Sequence, residues 1–157
     1  MNSKIRYWIV LLSISFYQLS GTLTYAGPED FQLAARNIIQ TAPNRLEFDL
    51  FILDTDPLND FWLSTEQFGI LFNSAIYAGG SVSASIVNTN SQLGPFQQIY
   101  QVPAIETNAA YSGQTLITLV GNVSYIPLGQ CTLVSKASPG TLITHFILTS
   151  TVNFDSN

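Results

Sequence analysis

Glu47 and Asp49 stand two residues apart in a run whose apolar residues, Leu46, Phe48, Leu50 and Ile52, alternate with them. In an extended strand that spacing puts both carboxylates on one face, about 6 to 7 Å apart, near the separation at which glycoside hydrolases place an acid and a base. Such an enzyme needs one carboxyl raised above its partner by burial, usually across a cleft, whereas neighbouring positions of one strand meet similar solvent. The pair therefore reads as the wet face of an amphipathic strand, with a carboxylate-based glycoside hydrolase as the remote alternative. His145, the only histidine, lies in Leu142-Ile143-Thr144-His145-Phe146-Ile147, on a face expected to be shared with Ile143 and Ile147. That setting suits a packed or half-buried imidazole better than a catalytic base. Cys131 is the only cysteine, so no disulfide within the chain and no zinc site of ordinary ligand number is expected. Its alternation with Leu133 predicts a buried thiol. No catalytic residue is assigned, and the chain is not expected to be an enzyme.

Two other groups of residues have the chemistry for binding. The loop Asp54-Thr55-Asp56-Pro57-Leu58-Asn59-Asp60 offers Asp54, Asp56, Asn59 and Asp60 as oxygen ligands within seven residues, which suits calcium. Calcium needs six or more oxygens, however, and Asp, Asn and Pro are also what a tight turn between strands selects, so a plain turn is the competing reading. Trp62, with Tyr77 and Tyr100, would supply flat faces for the apolar sides of pyranose rings, and Tyr111 and Tyr125 add further rings. The competing reading for each ring is core or rim packing. Of Phe61 and Trp62 one must face inward, and the pattern does not say which.

These residues sit in a chain that opens as an exported one does. Lys4 and Arg6 precede an apolar run, Tyr7 to Leu19, and the small-residue exit Thr24-Tyr25-Ala26 follows. The run is well short of the ~20 residues that a membrane-crossing helix needs. Residues 1–26 are therefore expected to be a cleaved signal peptide, with no membrane span afterwards and a secreted, extracellular or cell-surface location. No cysteine follows the run to carry a bacterial lipid anchor. Beyond Ala26 only Arg36, Arg45 and Lys136 stand against all ten acids, a formal charge of −7. Nucleic acid and anionic membrane, which call for clustered Lys and Arg, are not expected partners. Asn122-Val123-Ser124 is a glycosylation acceptor only in a eukaryotic secretory route.

Residues 27–157 suit one domain, and after Gly27 apolar residues recur with period two and no helical period. Strands are expected at Phe31 to Gln40, Leu46 to Leu53, Phe61 to Phe72 (long or broken), Ser81 to Val87, Phe96 to Val102, Gln114 to Gly121, Cys131 to Ser135 and Thr141 to Thr151. Between them fall the turn signals Ala42-Pro43-Asn44, Asp54 to Asn59, Ala78-Gly79-Gly80, Gly94-Pro95, Tyr111-Ser112-Gly113 and Ser138-Pro139-Gly140. The expected fold class is all-β, an antiparallel β-sandwich. The last run passes through Phe154 straight into Asp155-Ser156-Asn157, the ending expected of a sheet that lacks its last strand or strands.

Asn44-Arg45-Leu46-Glu47-Phe48-Asp49, Asp54-Thr55-Asp56-Pro57, Gln67-Phe68-Gly69-Ile70 and Ile76-Tyr77-Ala78-Gly79-Gly80 together resemble the amino-terminal module of large secreted bacterial proteins exported by the type IX system. Gln114-Thr115-Leu116-Ile117 and Pro139 to Phe146 fit the same pattern, which covers most of residues 27–157. The resemblance implies a cohesin-like or carbohydrate-binding-module-like jelly roll of nine strands, used for binding rather than catalysis. It implies polysaccharide or another extracellular protein as partner, and it carries no catalytic residues across. The chain departs from that pattern in having no carboxy-terminal sorting domain, as a fragment of a longer reading frame would.

Overall fold

The computed structural model of the chain describes residues 31–77, 79–98, 102–106, 113–121 and 126–154. The expected signal peptide, Tyr100, Tyr111, Tyr125 and the sequon at Asn122 lie outside the described residues. Among the described residues, nine strands follow one another: β1 (Phe31–Ala42), β2 (Arg45–Asp54), β3 (Trp62–Leu63), β4 (Gln67–Asn73), β5 (Val82–Val87), β6 (Ala104–Glu106), β7 (Gln114–Val120), β8 (Thr132–Leu133) and β9 (Thr141–Ser150). They form a four-stranded sheet in the order β1-β2-β9-β5, a three-stranded sheet β4-β7-β6 and a two-stranded ladder β3-β8. Every pairing is antiparallel, so the all-β expectation holds. Among the described residues, no helix is long and apolar enough to cross a membrane.

The sheets share one core because each strand turns its alternate residues inward. From β2 come Leu46, Phe48, Leu50 and Ile52; from β4 and β7 come Phe68, Ile70, Phe72, Ile117 and Leu119; Leu63 joins from β3. Burying a side chain of this kind stabilises by about 1.5–3 kcal/mol, so β2 alone is a large part of what holds the arrangement. Phe48 faces Phe146 across the β2–β9 ladder, with ring centroids 5.1 Å apart and planes 11° from parallel. The layers are sandwich-like, and the central position of β2, between β1 and β9, fixes which residues its outer face meets.

Three local features set the register. Pro43 and Asn44 close the β1–β2 hairpin at Ala42 and Arg45, as the turn signal predicts. Asn37 takes a left-handed conformation (φ 52°) where β1 slips against β2 between Arg36 and Ile39. Asn tolerates that region better than most residues, and a bulge plus the exposed Arg36 makes the long edge strand β1 a poor template for further pairing. At Gly140 φ is +104°, and a Cβ there would overlap the Ile52 carbonyl, so the turn into β9 needs glycine.

Three strand expectations are refined or corrected. The Phe61 to Phe72 run takes its broken form, as β3 and β4, which belong to different sheets. In the Phe96 to Val102 run, Phe96–Gln98 is a turn and Val102 is exposed outside any strand: Gln97 is buried and donates from Nε2 to the Gln130 carbonyl at 3.0 Å, tying the turn to the chain before β8. The Cys131 to Ser135 run keeps only two ladder residues, and Val134, not Leu133, is the inward one. Cys131 accordingly is only partly buried, its thiol 3.4 Å from the Pro127 carbonyl oxygen, and that burial raises the thiol pKa.

Candidate functional site

Outward-facing residues of β2 and β9 bring three titratable groups together. Asp49 lies opposite His145 in the ladder, and Glu47 lies one outward position further along, opposite Ile147. The imidazole bridges them: Nδ1 is 2.7 Å from Asp49 Oδ1 and Nε2 is 3.0 Å from Glu47 Oε2. The remaining carboxylate oxygens are also taken. Asp49 Oδ2 accepts from Asn37 Nδ2 at 2.6 Å, and Glu47 Oε1 accepts from Thr41 Oγ1 and Arg45 Nε, each at 2.7 Å. The Asn37 bulge serves this arrangement, since it turns an amide on β1 toward Asp49.

The electrostatics follow from these contacts. Partial burial of His145, whose side chain is 30% exposed, opposes protonation, but the hydrogen bonds to Asp49 and then Glu47, with the charges of both, outweigh it and raise the imidazole pKa. Glu47 is shifted the other way: the hydrogen bond from Thr41, then that from His145, lowers its pKa against a smaller opposing effect of burial. The two carboxylates do share one face, as the spacing predicts. The histidine does not share its face with Ile143, and this expectation is corrected. A bulge in β9, between the pairs Leu50–Thr144 and Phe51–Leu142, turns Ile143 into the core while His145 and Ile147 stay outside.

The Asp54 to Asp60 loop is organised around a different cation. Asp54 ends β2 on its inward side and is 3% exposed; its carboxylate accepts the backbone N–H of Asp56 at 2.9 Å and of Phe61 at 3.1 Å. Asp56 repeats the device, accepting from Leu58 N–H at 2.8 Å and from Asn59 Nδ2 at 2.9 Å. These are successive side-chain turns of the kind Asp favours, and they hold the Asp56 carboxyl below its ordinary pKa, the Asn59 contact first and the Leu58 N–H next. Lys136 Nζ then reaches in from the segment after β8 and donates to the carbonyls of Asp56 at 2.7 Å and Asn59 at 2.6 Å. It stands 3.5 Å from both Asp54 Oδ2 and Asp60 Oδ1. The four residues expected as calcium ligands thus do converge, and the cation they surround is an ammonium. Among the described residues, no group of three or more His, Cys, Asp or Glu side chains is arranged to hold a metal ion.

The rings divide. Trp62 is 42% exposed and lies opposite Leu133, 48% exposed, on the β3–β8 ladder. Phe61 is the inward partner of that pair and stacks on Phe31 with centroids 5.5 Å apart. Tyr77 is a core ring, packed against Phe72 with its hydroxyl hydrogen-bonded to Thr115, so it has no free face for a sugar. Trp62 and Tyr77 are therefore not brought together. Phe96, exposed, lies in the turn whose Gly94 N–H donates to Thr132 Oγ1 on β8.

Two residues that complete these arrangements were not identified from the sequence as partners, His145 of Glu47 and Asp49, and Lys136 of the loop. Their separations of 96 to 98 and 77 to 80 residues are set by strand pairing. The available signals were that His145 is the only histidine and Lys136 the only lysine beyond residue 26 in an acidic chain. No protein-family model matches the chain, and no curated protein or solved structure matches it either.

Proposed function

We propose that the chain is a secreted, non-catalytic binding or adhesion module of an extracellular or cell-surface protein, built as a cohesin-like jelly roll and meeting polysaccharide through Trp62. The observation that carries this reading is the exposed Trp62–Leu133 pair, a flat ring beside an aliphatic side chain on a small outer ladder. Such a platform covers the apolar face of a sugar ring while polar neighbours take its hydroxyls. Support for a non-catalytic role comes from the Glu47–His145–Asp49 group. All four carboxylate oxygens and both ring nitrogens already have a side-chain partner within the protein, the pattern of a group that ties strands together.

Trp62 is the only tryptophan outside the first 26 residues, so its fluorescence reports on the site. Titration with a broad panel of soluble polysaccharides is expected to change that emission for at least one of them, and retention on the same polysaccharide in an affinity gel should be lost in Trp62→Ala. A flat titration across the panel would move the reading to a structural or protein-docking sandwich, the alternative favoured by exposed Ile39 and Val87 on the outer face of the four-stranded sheet.

A further inference from the structure

A neutral imidazole carries one N–H and one lone pair, whereas an ionised carboxylate only accepts. His145 has a carboxylate oxygen within hydrogen-bond distance of each ring nitrogen. Both contacts are donor-to-acceptor only when the ring holds two protons; with one, a nitrogen lone pair faces a carboxylate lone pair. We propose that Glu47, His145 and Asp49 form a proton-operated clasp across β2 and β9, closed when the imidazole is doubly protonated and opened on its Glu47 side when one proton leaves to solvent.

The surroundings say why the Glu47 side opens. The Asp49 contact is the shorter, 2.7 Å against 3.0 Å, and it joins residues directly opposite in the ladder, so the remaining proton stays on Nδ1. Glu47 keeps Thr41 and Arg45 on its other oxygen and is not stranded when Nε2 turns from donor to acceptor. From β1 the groups facing the clasp are Asn37, Thr41 and Arg36, the last opposite Asp49 in register. From β5 the residue opposite His145 is Val87, and the outward positions Ser83 and Ser85 carry no charge. Along β9 itself the neighbours are Ile147 and Thr149. The charge balance of this sheet face is thus set by two arginines, two carboxylates and one titrating ring.

A folded-state pKa raised above the unfolded value means stability that is fully present below the unfolded pKa and is lost as pH rises through the folded one. For His145 the loss therefore comes on the alkaline side of the ordinary 6.5. The proposal holds whether or not Trp62 meets a sugar.

As His145 is the only histidine, its ring signals in an NMR titration of the full chain are unambiguous. The expected result is a midpoint above 6.5 that moves down in Glu47→Gln and in Asp49→Asn, with ring nitrogen shifts showing the remaining proton on Nδ1 above the midpoint. Thermal melts over the same range should lose stability as pH rises through that midpoint, and this slope should vanish in His145→Gln. A wild-type midpoint at or below 6.5 overturns the clasp by itself, even where a variant does not fold. A midpoint indifferent to both carboxylate substitutions overturns it too, and a remaining proton on Nε2 overturns the Glu47 side as the one that opens.

Discussion

The Asp54 to Asp60 loop and the Glu47–His145–Asp49 row start from the same strand, and each sets a basic side chain between two carboxylates. They differ in what the cation is asked to do. In the loop, Lys136 satisfies backbone carbonyls of Asp56 and Asn59 and lies beside a carboxylate with no exposed surface, so it holds together a segment with no ladder of its own. On the sheet, the backbone is already paired on both sides of β2, and the side chains only add to it. Histidine is also the one side chain that ordinarily changes charge between pH 5 and 8. The comparison teaches that similar charge groupings serve different ends: the loop uses an ammonium as a fixed strut, and the sheet face carries a group that responds to the medium.

The sharpest way to break the comparison is at Asp54. Asp54→Ala leaves the N–H groups of Asp56 and Phe61 without their acceptor and Lys136 without its buried partner. The expected loss is about 2–4 kcal/mol, read from a denaturant melt. A loss near zero would mean that the loop needs no anchor. Lys136→Met comes next. Removing one member of a fully buried pair costs about 3–5 kcal/mol, but Lys136 is 38% exposed and solvent screens it, so about 1–2 kcal/mol is expected. That loss should be the same at pH 5.5 and pH 8.5. A pH-dependent loss would erase the distinction between strut and switch.

Salt separates the two regions with a smaller effect. At about 1 M salt the screening length falls to about 3 Å. The His145 slope rests on charge, whereas Lys136 also donates two hydrogen bonds to the Asp56 and Asn59 carbonyls, which screening leaves in place. The pH slope assigned to His145 should therefore flatten in 1 M sodium chloride while most of the Lys136→Met deficit persists. Equal weakening of both would show that the carbonyl contacts do not distinguish them.

The legible part of this molecule was whatever depends on neighbours in sequence. Period-two alternation gave β2 and β9, and Ala42-Pro43-Asn44 gave the hairpin between β1 and β2. Asp54 to Asp60 was recognisable as a turn because Asp side chains bond to backbone N–H groups two residues on, a local event. The partners of those groups were not legible, since β2 and β9 lie about a hundred residues apart and their register shifts at Ile143, as that of the β1–β2 hairpin shifts at Asn37, bulges which no alternation announces. The same bulge put His145 and Ile143 on opposite faces against a simple count of two. Trp62 and Tyr77 show the limit for rings: both are aromatic residues near turns, and only packing decided that one is exposed and the other buried.

The smallest expected effect lies at Thr41, and it tests the acid side of the sheet cluster. The hydroxyl of Thr41 is the largest single cause of the lowered Glu47 pKa, ahead of His145. A carboxylate lowered in the folded state contributes stability above its unfolded pKa and loses it as pH falls through the folded value. Thr41→Val removes that hydrogen bond and leaves His145 and Arg45 in place, so the folded pKa of Glu47 moves back toward 4.5. Acid unfolding, followed by Trp62 emission, should then begin at higher pH than in the wild type. The neutral-pH melting temperature should fall slightly, because the contribution of a lowered carboxylate is fully present there, and the deficit should shrink as pH falls through the folded value. An unmoved acid limb would mean that the Thr41 contact does not hold Glu47 in solution. A neutral-pH deficit that persists undiminished in acid would instead show Thr41 supporting the β1 edge, a strut of the kind otherwise confined to the loop.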